Sequence, residues 1–276
     1  MKPALLACLL AALLLTEGAL AQLALPGATA GDSPAASDSA APKAAKHKAR
    51  RRAAAAPAIA SEPASIEGHE LRQNGRSGDL QLASGADNAL KITKFTMLGE
   101  VVSDPSKACR IDIVSEQPIE AIAKGAPDGL PRYSADIAAC PLTFDIVDGA
   151  VLVPAQSNAC VFSAADCQAS PSGLWGPQPA ETDPKAVSKL RATADRSIQD
   201  SLRDLEKHDE NAAATLAREE SDFSAERDEI CRAYAEETRL GFCTSRLEQS
   251  RAALLAKRAA EAGPVPDKPS KRKRKK

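Results

Sequence analysis

LTFDIVDGAVLVP, residues 142–154, is the stretch of this 276-residue sequence with the clearest structural signal. Asp148 and Gly149 separate two runs in which apolar and polar side chains alternate, and an Asp-Gly pair in that place is typical of a two-residue hairpin turn. The register outward from the turn places four large apolar side chains on one face, namely Phe144 opposite Val153 and Ile146 opposite Val151. This agreement of turn and register predicts an antiparallel β-hairpin.

The residues around this hairpin extend the prediction to a β domain over residues 89–180. LKIT (90–93) and CRIDIV (109–114) repeat the alternation of a half-buried strand. Trp175, the one tryptophan of the chain, lies between breaker residues. We expect it to pack over the sheet instead of marking a ligand site, because a small β layer needs a large apolar cap.

The first 21 residues have the three parts of a secretory signal peptide. One Lys precedes an apolar run, and Ala19-Leu20-Ala21 provides the small residues of a cleavage site. A short buried helix is the alternative. The sequence therefore predicts an exported bacterial protein, periplasmic or secreted, that is cleaved after Ala21.

Two segments outside the predicted domains are rich in basic residues. Residues 22–88 are dominated by Ala, Pro, Ser and Gly, and such a composition predicts disorder because little apolar surface can be buried. Basic tracts occupy residues 43–52 and the C-terminal tail, 263–276. On an exported protein these tracts predict binding to anionic envelope polymers or lipid headgroups, whereas nucleic acid is not expected as a partner. Solubilising tails without a fixed partner are the alternative.

Six cysteines remain after the predicted cleavage, and an even number in an oxidising compartment favours disulfides over metal ligands or nucleophiles. The β domain has few aromatic residues, so cross-links would compensate for a small core. We predict that Cys109 pairs with Cys140 and Cys160 with Cys167, although four cysteines allow three connectivities. The remaining pair is Cys231 and Cys243.

Residues 181–262 carry a helical pattern. One apolar stripe of 3.6-residue period runs from Ile198 to Tyr234, and a second runs through Cys243, Leu247 and Leu254. In one straight helix, twelve residues would place the two thiols about 18 Å apart. A disulfide needs Cα atoms within about 7 Å. The glycine at position 241 allows a reversal between them, which predicts a helical hairpin stapled at its bend. One unbroken helix, with thiols that pair elsewhere, is the alternative.

FSAERDEIC (223–231), the later cysteine and the RLEQSR run resemble the C-terminal half of the LprI-type lysozyme-inhibitor family, a domain of unknown function, over about residues 195–258. The family has an aromatic residue, R-D-x-x-C, then a second Cys followed by Arg and Leu. The resemblance implies a small exported helical protein that binds lysozyme or associates with the envelope. It matches Phe223, Arg227, Asp228, Cys231, Cys243, Arg251 and Leu254.

Catalysis is not predicted, because no nucleophile, general base, metal set or cofactor motif is found. His47, His69 and His208 are the histidines of the chain, and we expect each to be solvated. Residues 183–261 carry seventeen acidic and fourteen basic side chains. This excess would steer a cationic partner such as a lysozyme, although on charge alone a solvated helix face is the better explanation. Arg227 is expected to pair with a carboxylate, Asp228 or Glu248.

The sequence as a whole predicts an α+β protein with a small antiparallel, disulfide-stapled β domain, a helical hairpin and disordered basic tails. Its predicted function is that of a non-catalytic envelope binding protein, with lysozyme inhibition by occlusion as the leading hypothesis. A structural adaptor that the basic tails tether to anionic envelope polymers is the alternative. The oligomeric state stays open, since a long helix can also pair between chains as a coiled coil. The predicted segments are 1–21, 22–88, 89–180, 181–262 and 263–276.

Overall fold

The computed structural model describes residues 62–263, with gaps at 115, 156–157 and 210. The predicted signal peptide, the first basic tract and nearly all of the C-terminal tail lie outside the described residues. The described part is mixed α+β, with strands in its N-terminal half and helices in its C-terminal half.

Eleven strands, all paired antiparallel apart from one isolated bridge, form one sheet in the described part of the chain. Their bounds are β1 Leu71–Gln73, β2 Ser77–Ser84, β3 Leu90–Val101, β4 Ala108–Asp112, β5 Ile119–Ala123, β6 Arg132–Ala135, β7 Leu142–Val147, β8 Ala150–Val153, β9 Cys160–Phe162, β10 Cys167–Ala169 and β11 Gly173–Gly176.

Eight of these strands close into a barrel. The order β2-β1-β11-β8-β7-β6-β5-β3 returns to β2 through the β2–β3 pairing. Strand β3 is long enough for two sets of neighbours, because residues 90–92 pair with β5 and residues 96–100 pair with β4. Strands β9 and β10 extend the sheet from the same outer half of β3. Closure protects the paired edges from solvent and from other chains.

The predicted hairpin is confirmed as β7 and β8. Ile146 lies opposite Val151 in the observed register, and the turn glycine, Gly149, has a positive φ of 71°. The four predicted side chains are all buried in the barrel core. The opposite face of the hairpin is buried too, because Val147 and Ala150 pack against the helices. One face of the β7–β8 hairpin therefore packs in the barrel core and the other packs against the helices.

The prediction that disorder extends to residue 88 is wrong. Strands β1 and β2 lie within that segment, and β2 closes the barrel. Its apolar residues are sparse but well placed, and every large one in the described part is almost fully buried: Ile66, Leu71, Leu80 and Leu82. The average composition of residues 22–88 conceals the apolar pattern that specifies β1 and β2.

Trp175 is fully buried in the barrel core, in line with its predicted packing role. Its ring meets the Phe95 ring edge to face at a centroid distance of 5.6 Å. Its indole Nε1–H donates a hydrogen bond of 2.8 Å to the Pro171 carbonyl. The core is thus organised around one large side chain whose polar group is satisfied.

The helices are α1 Pro184–His208, α2 Ala213–Arg232, α3 Glu237–Leu240 and α4 Phe242–Ala262, with short 3-10 helices at Pro63–Ser65, Ser163–Ala165 and Pro179–Glu181. A hairpin of two helices is therefore incomplete as a description, because the first predicted helix is divided into α1 and α2. Asp209 ends α1, and its Oδ1 accepts a hydrogen bond from the Asn211 amide at 2.9 Å, which favours a turn. No described helix has the length and apolarity needed to cross a membrane.

Helix α1 packs on α4 through small side chains. Ala194, Ser197 and Ser201 are buried, whereas the predicted apolar stripe through Leu202 and Leu205 is only half-buried. Small side chains let two helix backbones approach closely, and this contact decides the orientation of α1. The apolar stripe therefore identified the helix but not its buried face.

The cystine pattern confirms one prediction and corrects two. Cys231 pairs with Cys243 across the bend, with a Cα–Cα distance of 5.5 Å. In the β region Cys109 pairs with Cys167, and Cys140 with Cys160. The predicted pairings Cys109–Cys140 and Cys160–Cys167 are therefore wrong.

Strand register explains the second of these errors. Strands β9 and β10 place Cys160 opposite Ala169 and Cys167 opposite Phe162. The two cysteines of this loop are diagonal neighbours, and such Cα atoms are about 7–8 Å apart, beyond normal disulfide reach.

Candidate functional site

The residues that carry the family resemblance meet at a cleft between α2, α4 and the barrel, here named the α2–α4 cleft. Its volume is about 520 Å³, which is within the range of ligand-binding clefts. Four of the five matched non-cysteine residues line it: Phe223, Arg227, Arg251 and Leu254. The fifth, Asp228, is exposed and accepts two hydrogen bonds from the Arg227 guanidinium, at 2.7 and 3.0 Å.

A disulfide and two helix-capping hydrogen bonds hold the bend between α2 and α4. The Cys231–Cys243 cystine joins the end of α2 to the start of α4. Gly241 takes a positive φ of 62° at the start of α4. The Glu237 carboxylate accepts hydrogen bonds from the Cys243 and Thr244 amides, each at 2.9 Å, and so satisfies two free donors of the helix N-terminus.

Arg227 connects α2 to a buried carboxylate of α4. Its Nη1 donates to Glu248 Oε1 at 3.1 Å, while Arg191 of α1 donates to Glu248 Oε2 at 3.0 Å. Glu248 is only 3% exposed, so both guanidinium groups compensate a carboxylate that has lost its water. The predicted pairing of Arg227 with Asp228 or Glu248 is confirmed, since it contacts both.

Burial dominates the electrostatics of Glu248. Loss of hydration raises its pKa above the ordinary value, and Asp195 adds to the rise, while Arg191 and Arg227 oppose it. The effect of desolvation on the Glu248 pKa thus exceeds the opposite effect of the two arginines, at the point where α1, α2 and α4 meet.

Arg251 makes the second contact between α2 and α4. Its guanidinium donates to Glu220 Oε1 at 2.6 and 2.8 Å and lies 5.6 Å from the centre of the Phe223 ring. Glu219 also accepts from Arg258 at 2.5 Å, and this hydrogen bond lowers the pKa of Glu219 despite partial burial. The matched arginines therefore stabilise the helical layer, and their charges are engaged within the chain.

On the barrel side of the cleft, a further ion-pair network is satisfied within the chain. Arg132 donates to both oxygens of the buried Asp145, at 2.7 and 2.8 Å, and to Asp128 at 2.6 Å. The hydrogen bonds with Asp145 raise the pKa of Arg132, although its burial acts against the rise.

Two carboxylates at the cleft have no partner in the described part of the chain. Asp222 and Glu226 are exposed, lie one turn apart on α2, and flank Phe223. Neither makes an ion pair or hydrogen bond with a described residue. The floor of the cleft is apolar: Leu247 is buried, and Leu152, Ile230 and Leu254 are partly buried. An apolar floor with an acidic rim suits Lys or Arg side chains, which bury their stems and keep their charge in water.

The sequence did not single out Asp222 and Glu226. The signal that could have found them is the spacing of two acids at i and i+4 around an aromatic residue, because such acids lie on the same helix face. All six cysteines of the described part form disulfides, and no cluster of three or more potential metal ligands occurs among the described residues. Comparison with protein-family models, with curated proteins and with solved structures finds no match for this chain.

Proposed function

We propose that this protein is an exported, non-catalytic binding protein of the bacterial cell envelope whose α2–α4 cleft receives a basic segment of a partner protein. A muramidase that the bound protein occludes is the partner that the family resemblance implies. The observation that carries the proposal is a pair of exposed carboxylates at an apolar floor, Asp222 and Glu226, that have no partner among the described residues.

Charge complementarity supports a cationic partner. The arginines around the cleft already have intramolecular carboxylate partners, so the free charge at its rim is negative. Free acids on a rigid helix steer a cationic protein to its site and suppress anionic ones. The disulfide at the bend supports the same role, because a fixed surface loses less entropy on binding.

The direct test is muramidase turnover in the presence of the oxidised mature protein at physiological salt. We expect dose-dependent inhibition by the wild type. The double variant Asp222→Asn/Glu226→Gln should weaken it at least tenfold, as expected when two rim charges face a cationic partner. Glu120→Gln/Glu206→Gln is the matched control, because it removes two exposed charges outside the cleft.

Each result has a defined meaning. Equal loss of inhibition in both double variants would reduce the effect to net charge and contradict a role for the cleft. Absence of inhibition at concentrations well above those of the enzyme would reject occlusion. Salt-sensitive binding to isolated envelope, lost when the basic tails are removed, would then favour the adaptor hypothesis.

A further inference from the structure

Arg246 of α4 is buried without the hydrogen bonds that its guanidinium can make. The residue is 7% exposed, and its Nε and Nη1 atoms have no hydrogen-bond partner among the described residues. Its Nη2 lies 3.7 Å from Asp148 Oδ2, a distance that is close enough for charge attraction but too long for a hydrogen bond. Arginine offers five N–H donors, and buried donors are nearly always satisfied in folded proteins.

A cleft separate from the α2–α4 cleft opens beside this side chain, here named the Arg246 cleft. The segment 65–71, the β7–β8 turn, and the starts of α1 and α4 form its walls, which enclose about 490 Å³. Two of its lining residues flank the guanidinium: the Phe242 ring centre lies 4.4 Å from Arg246 Cζ, and Gly149 adjoins Nη2. The charged end of the side chain is therefore at the cleft wall.

The rest of the lining includes an apolar wall, an acidic rim and three further polar residues, Ser65, His69 and Thr182. The apolar residues are Leu71, Pro177, Val187 and Leu190. Each rim carboxylate already has a donor: Glu70 is paired with Arg72 at 2.6 Å, Glu181 accepts from the Gln178 amide at 3.3 Å, and Asp183 accepts from the Lys185 amide at 2.9 Å. Arg246 is thus the charged residue of the lining whose polar atoms lack a hydrogen-bond partner among the described residues.

We propose that the Arg246 cleft binds the carboxylate of a small molecule with an apolar body. A carboxylate accepts charge-assisted hydrogen bonds from a guanidinium in a planar arrangement, and the apolar walls bury the rest of the ligand. The three rim carboxylates disfavour a doubly charged phosphate, so a monoanion is the ligand class. This site is independent of the proposed binding of a basic protein segment at the α2–α4 cleft.

The experiment compares N-acetyl-L-leucine, its neutral amide and inorganic phosphate by calorimetric titration of the oxidised full chain. We expect saturable binding of the acid, with affinity at least tenfold weaker for the amide and for phosphate. Equal binding of acid and amide would show that the guanidinium does not recognise the ligand, and would overturn the proposal. Absence of binding by the acid at millimolar concentration, or tighter binding of phosphate, would also overturn it.

Variants locate the binding in the cleft. Arg246→Met removes the charge with a side chain of similar volume and is expected to abolish acid binding. Ala186→Trp fills the cleft from an exposed position of α1, leaves Arg246 in place, and is also expected to abolish it. Ala192→Trp, at an exposed α1 position outside the cleft, is the matched control and should bind as the wild type does. Full binding by either cleft variant would reject the site.

Discussion

The two folded regions are cross-linked over different distances along the chain, and the difference decides what the sequence can reveal. The helical cystine joins residues 12 positions apart, across a bend that one glycine marks. The β-region cystines join residues 58 and 20 positions apart, in strands whose neighbours come from distant segments. A local staple follows from helix geometry, whereas a long-range staple depends on sheet register.

The two regions also differ in the charged side chains that they bury. The barrel core is apolar and built around Trp175, and the charges that this region buries are two carboxylates, Asp79 and Asp145, each paired with a partly exposed arginine. The helical layer buries Arg246, Glu248 and Arg251 on one helix. An Ala-rich layer with few large apolar residues thus depends on ion pairs, whose partners must all be present to offset desolvation.

Removal of the disulfides one at a time should give the largest effects and rank the two regions. In the chain-entropy model, loss of Cys109–Cys167 lowers the free energy of unfolding by about 4 kcal/mol, loss of Cys140–Cys160 by about 3, and loss of Cys231–Cys243 by slightly less. Paired Cys→Ala variants, unfolded in urea without reductant, measure this order. A larger loss for the helical pair than for Cys109–Cys167 would contradict the ranking.

Gly129→Ala tests the contact between barrel and helices. Gly129 has a φ of +83°, and a Cβ there would lie 2.6 Å from the Ala253 carbonyl of α4. Gly125→Ala is the matched control, because Gly125 has a φ of +80° with open space around it. We expect Gly125→Ala to cost about 1–2 kcal/mol from backbone strain and Gly129→Ala about 1–3 kcal/mol more from the clash. Equal losses in urea unfolding would mean that α4 moves away freely.

Arg227→Ala tests the ion pairs of the helical layer. Loss of the Arg227 side chain leaves the buried Glu248 with Arg191 as its remaining basic partner. We expect the free energy of unfolding to fall by about 1–3 kcal/mol. Arg203→Ala, which removes an exposed ion pair with Asp200, should change stability by less than about 1 kcal/mol. Thermal and urea unfolding of both variants give the comparison, and equal effects would argue against a buried network.

The smallest effect is a pH dependence of opposite sign in the two regions. Burial raises the pKa of Asp79 in the barrel, but the Glu70 side chain and three nearby basic groups outweigh it and hold that pKa below its ordinary value. Its stabilisation is therefore present above pH about 4 and lost as the pH falls further. The pKa of Glu248 is raised by burial, so its stabilisation is present below pH about 4 and lost as the pH rises.

Urea unfolding between pH 3 and 7 separates these contributions. Asp79→Asn should flatten the acid end of the stability profile, and Glu248→Gln should flatten the decline above pH about 4. A wild-type profile in both variants would show that neither carboxylate titrates with a shifted pKa.

Local sequence patterns correctly predicted the features that depend on residues close together in the chain. The Asp148-Gly149 turn predicted the hairpin and its register, because both depend on about ten consecutive residues. The spacing of Cys231 and Cys243 around Gly241 predicted the stapled bend, since helix rise alone excludes the pairing in a straight helix. The pairing of Arg227 was predicted for the same reason, as one of its partners is its neighbour.

The tertiary structure alone decided the features that depend on distant segments. Barrel closure recruits residues 71–84, whose low apolar content predicted disorder, because a few leucines suffice when every one faces the core. The β-region disulfides follow the register of β9 and β10 and not proximity in sequence. The acids of the α2–α4 cleft and the Arg246 guanidinium lack hydrogen-bond partners among the described residues, and this results from packing between elements, which no local periodicity specifies. The sequence by itself determined the β7–β8 turn, the helical character of residues 181–262 and the disulfide at the helical bend. Barrel closure, most cross-strand pairing and both clefts required long-range contacts, whose loop-closure entropy local propensity does not offset.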